Sequence, residues 1–250
     1  MKDKILKYSL IGFLLISLSS CLEIDNYDGP QETVLGKIVD KQGRPVYANT
    51  GKSSVRIKML DYGYSETPSE YYLNVKTDGT YINEKIFESN YTMIPEGPFV
   101  PNEGQENIFI RENTEVNFEV EPFFVVEWRE PALVPNSDGT VTANIRITRG
   151  TDNPDYQEDL NQVFIFISTT QYVGSNQYDQ RVSAVVSGSD AKNLLNIDAS
   201  VSSKTSGSGE SLVKLKSGYT YYVRVGVRSN MDGIIAGAYN LSAVKKLVMP

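Results

Sequence analysis

The sequence predicts an all-β protein made of two tandem β-sandwich domains. Apolar and polar residues alternate along many short segments, and turn residues such as Gly, Pro, Asn and Asp separate these segments. No stretch of helical length carries a convincing 3.6-residue apolar period. Short strands separated by turns are typical of sandwiches rather than of layered α/β folds.

The first 31 residues predict an export signal followed by a tether. Lysines at positions 2, 4 and 7 precede an apolar run over 8–18, and Leu18-Ser19-Ser20 leads into Cys21, the only cysteine of the chain. A basic start, a short apolar stretch and small residues before a cleavage point form a secretory signal. The run is shorter than the roughly 20 residues that span a bilayer. We expect a signal peptide over 1–20 and a polar, acidic tether over 21–31.

The segment before Cys21 resembles the lipobox of bacterial lipoproteins, which implies that this cysteine carries the lipid anchor. An ordinary secreted protein with one cysteine at this position is the alternative. The acids behind Cys21 resemble the surface-export signal of Bacteroidetes lipoproteins, whereas the plain interpretation is a flexible tether. The resemblance implies an outer-membrane location, with the protein facing the cell exterior.

The first sandwich is expected over 32–122, with Pro122 at the boundary, and the second over 123–250. In the first domain, strands are predicted over 34–40, 55–59, 71–75 and 116–120, and a short helical turn over 83–87. In the second domain, strands are predicted over 123–128, 141–147, 163–167, 181–187 and 219–227, and residues 238–248 are expected to close the fold. The Ser- and Gly-rich stretch 199–211 is predicted to be a loop or hairpin tip.

Residues 36–46, GKIVDKQGRPV, resemble the opening hairpin of carboxypeptidase-regulatory-like (transthyretin-like) sandwiches. The segments 77–81 and 90–95 match as well. The resemblance gives Gly36, Gly43 and Pro45 structural roles, because glycine supplies the turn and proline fixes φ. Such domains are usually spacers or binding modules.

Residues 215–225, LKSGYTYYVRV, are similar to the penultimate region of fibronectin type III-like sandwiches. That pattern places Tyr221 at a tyrosine corner, where its hydroxyl bonds to upstream backbone. Ser217 stands where the pattern usually has proline. Trp128, early in this domain, is a candidate core tryptophan.

The order of lipobox, tether, regulatory-like domain and second sandwich resembles a family of uncharacterised Bacteroidetes lipoproteins. Members of that family are commonly encoded beside SusC/SusD-like outer-membrane glycan-uptake pairs. The resemblance implies an accessory role in glycan capture and supplies no catalytic residue.

The composition argues against several functional classes. A formal net charge of −7 disfavours nucleic-acid binding, which needs clustered Lys and Arg. The chain has no histidine, which excludes Ser-His-Asp catalysis and imidazole metal sites. With its cysteine assigned to lipid, it offers no thiolate nucleophile or zinc-thiolate site. We expect no metal and no tightly bound cofactor.

Tyrosines are the candidate ligand contacts. Tyr62, Tyr64, Tyr71 and Tyr72 cluster in sequence, and aromatic faces stack on the C–H faces of sugars. The alternative is that tyrosines occupy strand positions because they pack well there. Tyr172 and Tyr178 flank a second candidate loop, and the acidic segment 152–159 is expected to be a solvated turn rather than a Ca²⁺ site.

These observations predict a non-catalytic surface lipoprotein that binds glycan, or acts as a scaffold, in a polysaccharide uptake system. One alternative is a structural or adhesive module that docks protein through strand edges. A carbohydrate-active enzyme is the other, although no motif selects two of the many carboxylates as a catalytic pair.

Overall fold

The computed structural model describes residues 29–51, 54–63, 65–231 and 235–250. Cys21, the predicted signal peptide, most of the predicted tether and Tyr64 lie outside these ranges. The described chain is almost entirely β, with two short 3-10 helices and one short α-helix, α1 (Ser189–Lys192). The predicted all-β fold with two tandem sandwich domains is confirmed. None of the described helices is long and apolar enough to cross a membrane.

Two sheets form the first domain. Its strands are β1 (Glu32–Asp40), β2 (Arg56–Asp61), β3 (Ser69–Asn74), β4 (Thr80–Ile86), β5 (Ser89–Glu96), β6 (Gln105–Ile110), β7 (Asn113–Glu115) and β8 (Phe118–Val120). One sheet has the order β4-β1-β7, with β8 also paired to β1, and the other has the order β3-β2-β5-β6. Side chains from both sheets form one buried core that includes Ile38, Met59, Tyr81 and Tyr91.

The second domain also has two sheets. Its strands are β9 (Phe124–Pro135), β10 (Val141–Arg149), β11 (Gln162–Ser168), β12 (Ala184–Ser187), β13 (Asp198–Ser202), β14 (Thr220–Arg228), β15 (Asn240–Leu241) and β16 (Lys245–Val248). The strand orders are β13-β10-β9 and β12-β11-β14-β15, with β16 also paired to β14. Alternate residues of these strands, such as Ile145, Ile165 and Val225, fill the core between the sheets.

Two local predictions are wrong. Residues 83–87 do not form a helical turn, because β4 continues through Ile86 in antiparallel register with β1. Residues 199–202 are not a loop, because β13 pairs with β10 as an edge strand. In β13, Ala199 and Val201 point into the core and the serines point outward, so two small apolar residues suffice for a strand whose backbone pairs with β10.

Candidate functional site

A cleft of about 270 Å³ lies where the two domains meet. One wall is the turn after β1, which contributes Arg44, Pro45 and Tyr47. The opposite wall is the start of β9 together with β15, which contribute Phe124, Trp128 and other residues. We call this the interdomain cleft. Ligand sites commonly occur at such domain boundaries, although this volume lies just below the range of about 300–1,000 Å³ that is usual for drug-sized ligands.

Three aromatic side chains line the interdomain cleft. Trp128 and Tyr47 are partly buried, whereas Phe124 is only 2% exposed. The indole N–H of Trp128 donates to the carbonyl oxygen of Ala243 at 2.9 Å. That hydrogen bond satisfies the polar edge of the indole, so the ring contributes an apolar face to the cleft.

The polar wall of the cleft is a charge cluster centred on Arg44. Its Nε lies 2.6 Å from Asp40 Oδ2, and its Nη1 lies 3.0 Å from Glu127 Oε1 across the domain boundary. Backbone N–H groups of Gln42 and Arg44 also donate to Asp40 Oδ1. Arg44 Nη2 also donates to Gln42 Oε1 at 3.0 Å, so all three guanidinium nitrogens of Arg44 have a partner and both cleft carboxylates contact this arginine.

A second ion pair joins the β1 turn to the domain boundary. Lys41 Nζ lies 2.9 Å from Glu121 Oε1, and the Thr151 hydroxyl donates to Glu121 Oε2 at 2.8 Å. These two hydrogen bonds, led by that from Lys41, hold the pKa of Glu121 below its usual value. The turn is thus tied to two acids on either side of the domain boundary, Glu121 and Glu127.

The residues of the regulatory-like pattern shape this wall. Gly43 has φ of +76°, a left-handed conformation that favours glycine, and its N–H donates to the Asp40 carbonyl. Pro45 follows and lines the cleft. Gly36 lies further back on β1, where a Cβ would approach the Val116 carbonyl oxygen to 1.7 Å. In the second domain, the Tyr221 hydroxyl accepts from the Lys216 N–H at 3.0 Å, five residues upstream.

The predicted tyrosine cluster does not form one surface. Tyr71 turns toward the core and meets Tyr91 edge-on at 6.3 Å, and burial raises the pKa of its hydroxyl to about 12. Tyr72 points to the opposite face of β3, because successive strand residues alternate. Its ring lies under the Arg56 guanidinium at 4.0 Å, so one aromatic face is already covered. Tyr62 is exposed, and Tyr64 lies outside the described residues.

The acidic segment 152–159 contains a 3-10 helix, Pro154–Tyr156, capped by the Asn153 side chain. Asp159 at its end pairs with Lys192 at 2.7 Å. Within the described residues, no group of three or more acidic, His or Cys side chains is arranged to hold a metal ion.

The sequence did not predict that a ligand site could lie in the interdomain cleft. Trp128 was expected only in the core, and it does pack against the core of the second domain while also lining the cleft. Arg44 and Glu127 are 83 positions apart, and no local pattern indicates that they meet. The available signal was the single tryptophan, which lies six positions after the predicted domain boundary at Pro122.

Two family models match the chain in tandem. The model described as "Protein of unknown function (DUF3823) N-terminal domain" matches residues 32–121. The model described as "Domain of unknown function (DUF3823_C)" matches residues 129–236. Together they cover most of the chain. No curated protein matches it.

Several crystal structures share the fold across both domains. A DUF3823 family protein from Bacteroides uniformis is 25% identical, with a TM-score of 0.73 over 88% of this chain and 100% of that one. A "putative carbohydrate binding protein" from the same species is 20% identical, with a TM-score of 0.71 and the same coverage. A DUF3823 family protein from Parabacteroides merdae is 20% identical, with a TM-score of 0.65, again at the same coverage.

Proposed function

Given that this chain belongs to the DUF3823 family, we propose that it is a non-catalytic accessory protein that binds glycan at the outer membrane. The observation that carries the proposal is the interdomain cleft, in which aromatic faces stand beside a charge cluster. Sugars present apolar C–H faces and hydroxyl groups together, so they are bound by aromatic stacking and hydrogen bonds. Trp128 and Tyr47 supply the stacking faces, and Arg44 and Glu127 supply polar contacts at the rim.

The fold neighbours are consistent with this proposal. One of the Bacteroides uniformis structures carries a carbohydrate-binding description and shares the two-domain fold. At 20% identity the likeness shows the fold alone, so the ligand class is argued from the cleft of this chain.

The proposal of a non-catalytic role is supported by the cleft carboxylates. Glycoside hydrolysis needs one carboxyl group to act as a proton donor and another to act as a base or nucleophile. Asp40 and Glu127 both contact Arg44, and Glu127 also accepts from Arg129 at 3.4 Å. Neither carboxylate is presented as a free acid–base group.

The proposed location follows from the lipobox-like segment that ends at Cys21. A lipid on this cysteine would hold the mature chain at the outer membrane, with its two domains facing the cell exterior. SusC/SusD-like uptake proteins are the proposed neighbours, since they would take up the glycan that this protein retains.

Affinity electrophoresis and calorimetry with a panel of neutral and acidic polysaccharides test the glycan-binding proposal. We expect the purified protein to bind at least one polysaccharide, and Trp128→Ala to weaken that binding by about tenfold or more, as removal of a central aromatic contact does. Because Trp128 also packs on the core, Arg44→Ala is a second variant that probes the cleft from its other wall.

Tyr219→Ala is the matched control, because this tyrosine is 57% exposed and does not line the cleft. Equal binding by the wild type, Trp128→Ala and Arg44→Ala would contradict the cleft as the site. No binding across the panel, together with co-purification of a partner protein, would favour the docking module instead. Release of sugar from any polysaccharide would establish an enzyme.

A further inference from the structure

A second concave surface surrounds Tyr178. Part of it lies on the outer face of the sheet that contains β11 and β12, and part lies at the end of β11, where the core residues Ile167, Val182 and Tyr221 also line it. It consists of two adjoining depressions of about 380 and 210 Å³, and Tyr178 lines both of them. We call this surface the Tyr178 groove. Phe164, Gln180 and Lys204 border the larger depression, and Thr169 and Gln177 are among the residues that border the smaller one. No residue is shared with the interdomain cleft.

The floor of the larger depression is aromatic although it faces away from the core. Along β11, Val163, Ile165 and Ile167 point inward, so Phe164 and Phe166 point outward. Outward positions of a sandwich strand are usually polar. Phe166 is covered by Tyr239 and by neighbouring strands, whereas Phe164 is only partly covered. Partly exposed aromatic side chains in a concave surface with a few polar groups are typical of small-ligand sites.

Tyr178 is held rigidly against this floor. Phe164 and Phe166 stack on each other at 4.3 Å, and the Tyr178 ring contacts them at 5.1 and 5.2 Å. The same cluster continues through Tyr239 to Leu241 and Tyr47 at the interdomain cleft. An aromatic ring that is already fixed loses little conformational entropy when a ligand stacks on it.

Polar side chains beside the ring are free to bind a ligand. Among the described residues, no hydrogen bond or ion pair engages the side chains of Gln177, Gln180 and Lys204 or the Tyr178 hydroxyl. Asp179 is different, because Arg181 contacts both of its carboxylate oxygens, at 2.9 and 2.7 Å. The groove therefore offers amide, hydroxyl and ammonium groups on both sides of a fixed aromatic ring.

We propose that the Tyr178 groove is a second saccharide-binding site, which takes a linear oligosaccharide with sugar rings on both sides of Tyr178. The alternation of apolar faces and unpaired hydrogen-bonding groups matches the alternation of C–H faces and hydroxyls along a glycan chain. A protein partner would need about 800 Å² of complementary surface, whereas the larger depression, at about 380 Å³, has the size of a small-ligand site.

This proposal rests on the proposed function, because both assign a saccharide as the ligand. It places that saccharide at a different site, the Tyr178 groove. Two saccharide sites on one chain make a polymeric glycan the preferred ligand, because a second contact with the same polymer is intramolecular. The protein would then retain long glycans in preference to short ones.

The test is calorimetric titration of the full chain, purified in detergent, with cello-, xylo-, manno-, laminari- and maltohexaose and the corresponding disaccharides. We expect at least one hexasaccharide to bind more tightly than its disaccharide, and Tyr178→Ala to weaken hexasaccharide binding by about tenfold or more. Tyr178→Phe keeps the ring and is expected to bind within about threefold of the wild type, since a lost neutral hydrogen bond has a small net effect.

Tyr172→Ala is the matched control, because this tyrosine lies six positions away, is 49% exposed and borders neither depression. If Tyr178→Ala loses its fold, the double variant Gln180→Ala/Lys204→Ala replaces it, since both side chains are exposed and make no hydrogen bond or ion pair within the described residues. We expect this variant to weaken hexasaccharide binding by about threefold or more with an unchanged melting temperature.

The outcomes separate the two sites. If Tyr178→Ala and Gln180→Ala/Lys204→Ala both bind hexasaccharide with wild-type affinity, the groove proposal is overturned, even if Trp128→Ala loses binding. Loss of binding in Tyr178→Ala with wild-type binding in Trp128→Ala would support the groove and contradict the cleft. If the wild type binds none of the hexasaccharides, the groove proposal is overturned. Polysaccharide binding that is lost in Trp128→Ala would still support the cleft.

Discussion

At the scale of single residues, Gly36 shows how one missing side chain organises the first sandwich. Gly36 is paired with Tyr81 across β1 and β4, and the Tyr81 hydroxyl crosses β1 to donate to the Val116 carbonyl at 2.5 Å. Tyr81 is 1% exposed, and burial raises the pKa of its hydroxyl. Only a residue without a Cβ leaves room for the Tyr81 side chain and the Val116 carbonyl together.

Gly36→Ala is therefore expected to destabilise the protein by about 2 kcal/mol or more, through a steric clash with backbone that cannot move easily. Gly29→Ala is the control, because a Cβ there has no heavy atom within 4 Å. Urea denaturation followed by far-ultraviolet circular dichroism, which reports on the strands of both domains, measures both. An unchanged midpoint for Gly36→Ala would mean that β1 and Val116 move apart freely.

At the scale of elements, β14 belongs to the core on one face and to the domain interface on the other. Val223, Val225 and Val227 point into the core of the second domain. On the opposite face Arg224 is 0% exposed, and its guanidinium donates to the carbonyl oxygens of Ser242, Ala48 and Thr77 at 2.8, 2.8 and 3.1 Å. Two of these three carbonyls belong to the first domain, so β14 fastens the two domains together.

Burial lowers the pKa of Arg224 to about 10, so its side chain stays protonated at neutral pH. The three carbonyl contacts offset the unfavourable burial of this charge. In the described part of the chain, no buried side-chain nitrogen or oxygen lacks a hydrogen-bond partner. Removing the guanidinium would leave three carbonyls without their donor.

Arg224→Met is expected to lower the free energy of unfolding by about 3 kcal/mol, because buried carbonyls then lack partners. Arg111→Met is the matched control, since Arg111 is 64% exposed in its side chain and its ion pair with Glu88 is a surface contact of small effect. Differential scanning calorimetry measures both, and Arg224→Met is expected to separate the unfolding of the two domains. A single transition at the wild-type temperature would contradict this role.

At the scale of the whole molecule, the two sandwiches meet in several polar contacts. Besides Arg224, the Asn49 side chain contacts Ser175 at 2.8 Å, and the Asn240 side chain donates to the Pro98 carbonyl at 2.8 Å. The Asn176 side chain also donates to the Thr50 carbonyl. These contacts hold the two walls of the interdomain cleft in place, so the proposed glycan would meet a preformed site.

The proposed placement of the whole molecule on the outer membrane depends on the lipid at Cys21. We expect labelled palmitate to enter the wild type and the Ser20→Ala control, which keeps a small residue before the cysteine. Cys21→Ser is expected to lose both the label and the outer-membrane fraction, because no thiol remains to accept the lipid. A Cys21→Ser chain that is processed and fractionates like the wild type would contradict the anchor.

The strands were largely predictable because their signal is local. The alternation in β10 and β14 is visible in the sequence, since one face of each strand is buried. The edge strand β13 was missed, because it buries only Ala199 and Val201 between polar residues. Strand β4 is also absent from the predicted strands, because its pairing with β1 overrides weak local preferences.

The candidate sites were less predictable, because they depend on contacts between distant segments. Tyr71 and Tyr72 are neighbours in sequence, yet the pleat of β3 sends them to opposite faces. Tyr178 belonged to a candidate loop, but its contact with Phe164 and Phe166 is set by where the chain returns to β11. Sequence proximity was a poor guide to which aromatics share a surface.

By itself, the sequence determined that the chain is all-β with two tandem domains, because alternation and turn chemistry act over a few residues. Only the tertiary structure decided that Arg44 meets Glu127 beside Trp128, and that Arg224 crosses to the first domain. These contacts join residues from 83 to 176 positions apart. Their geometry follows from how whole sheets pack, which no local pattern encodes.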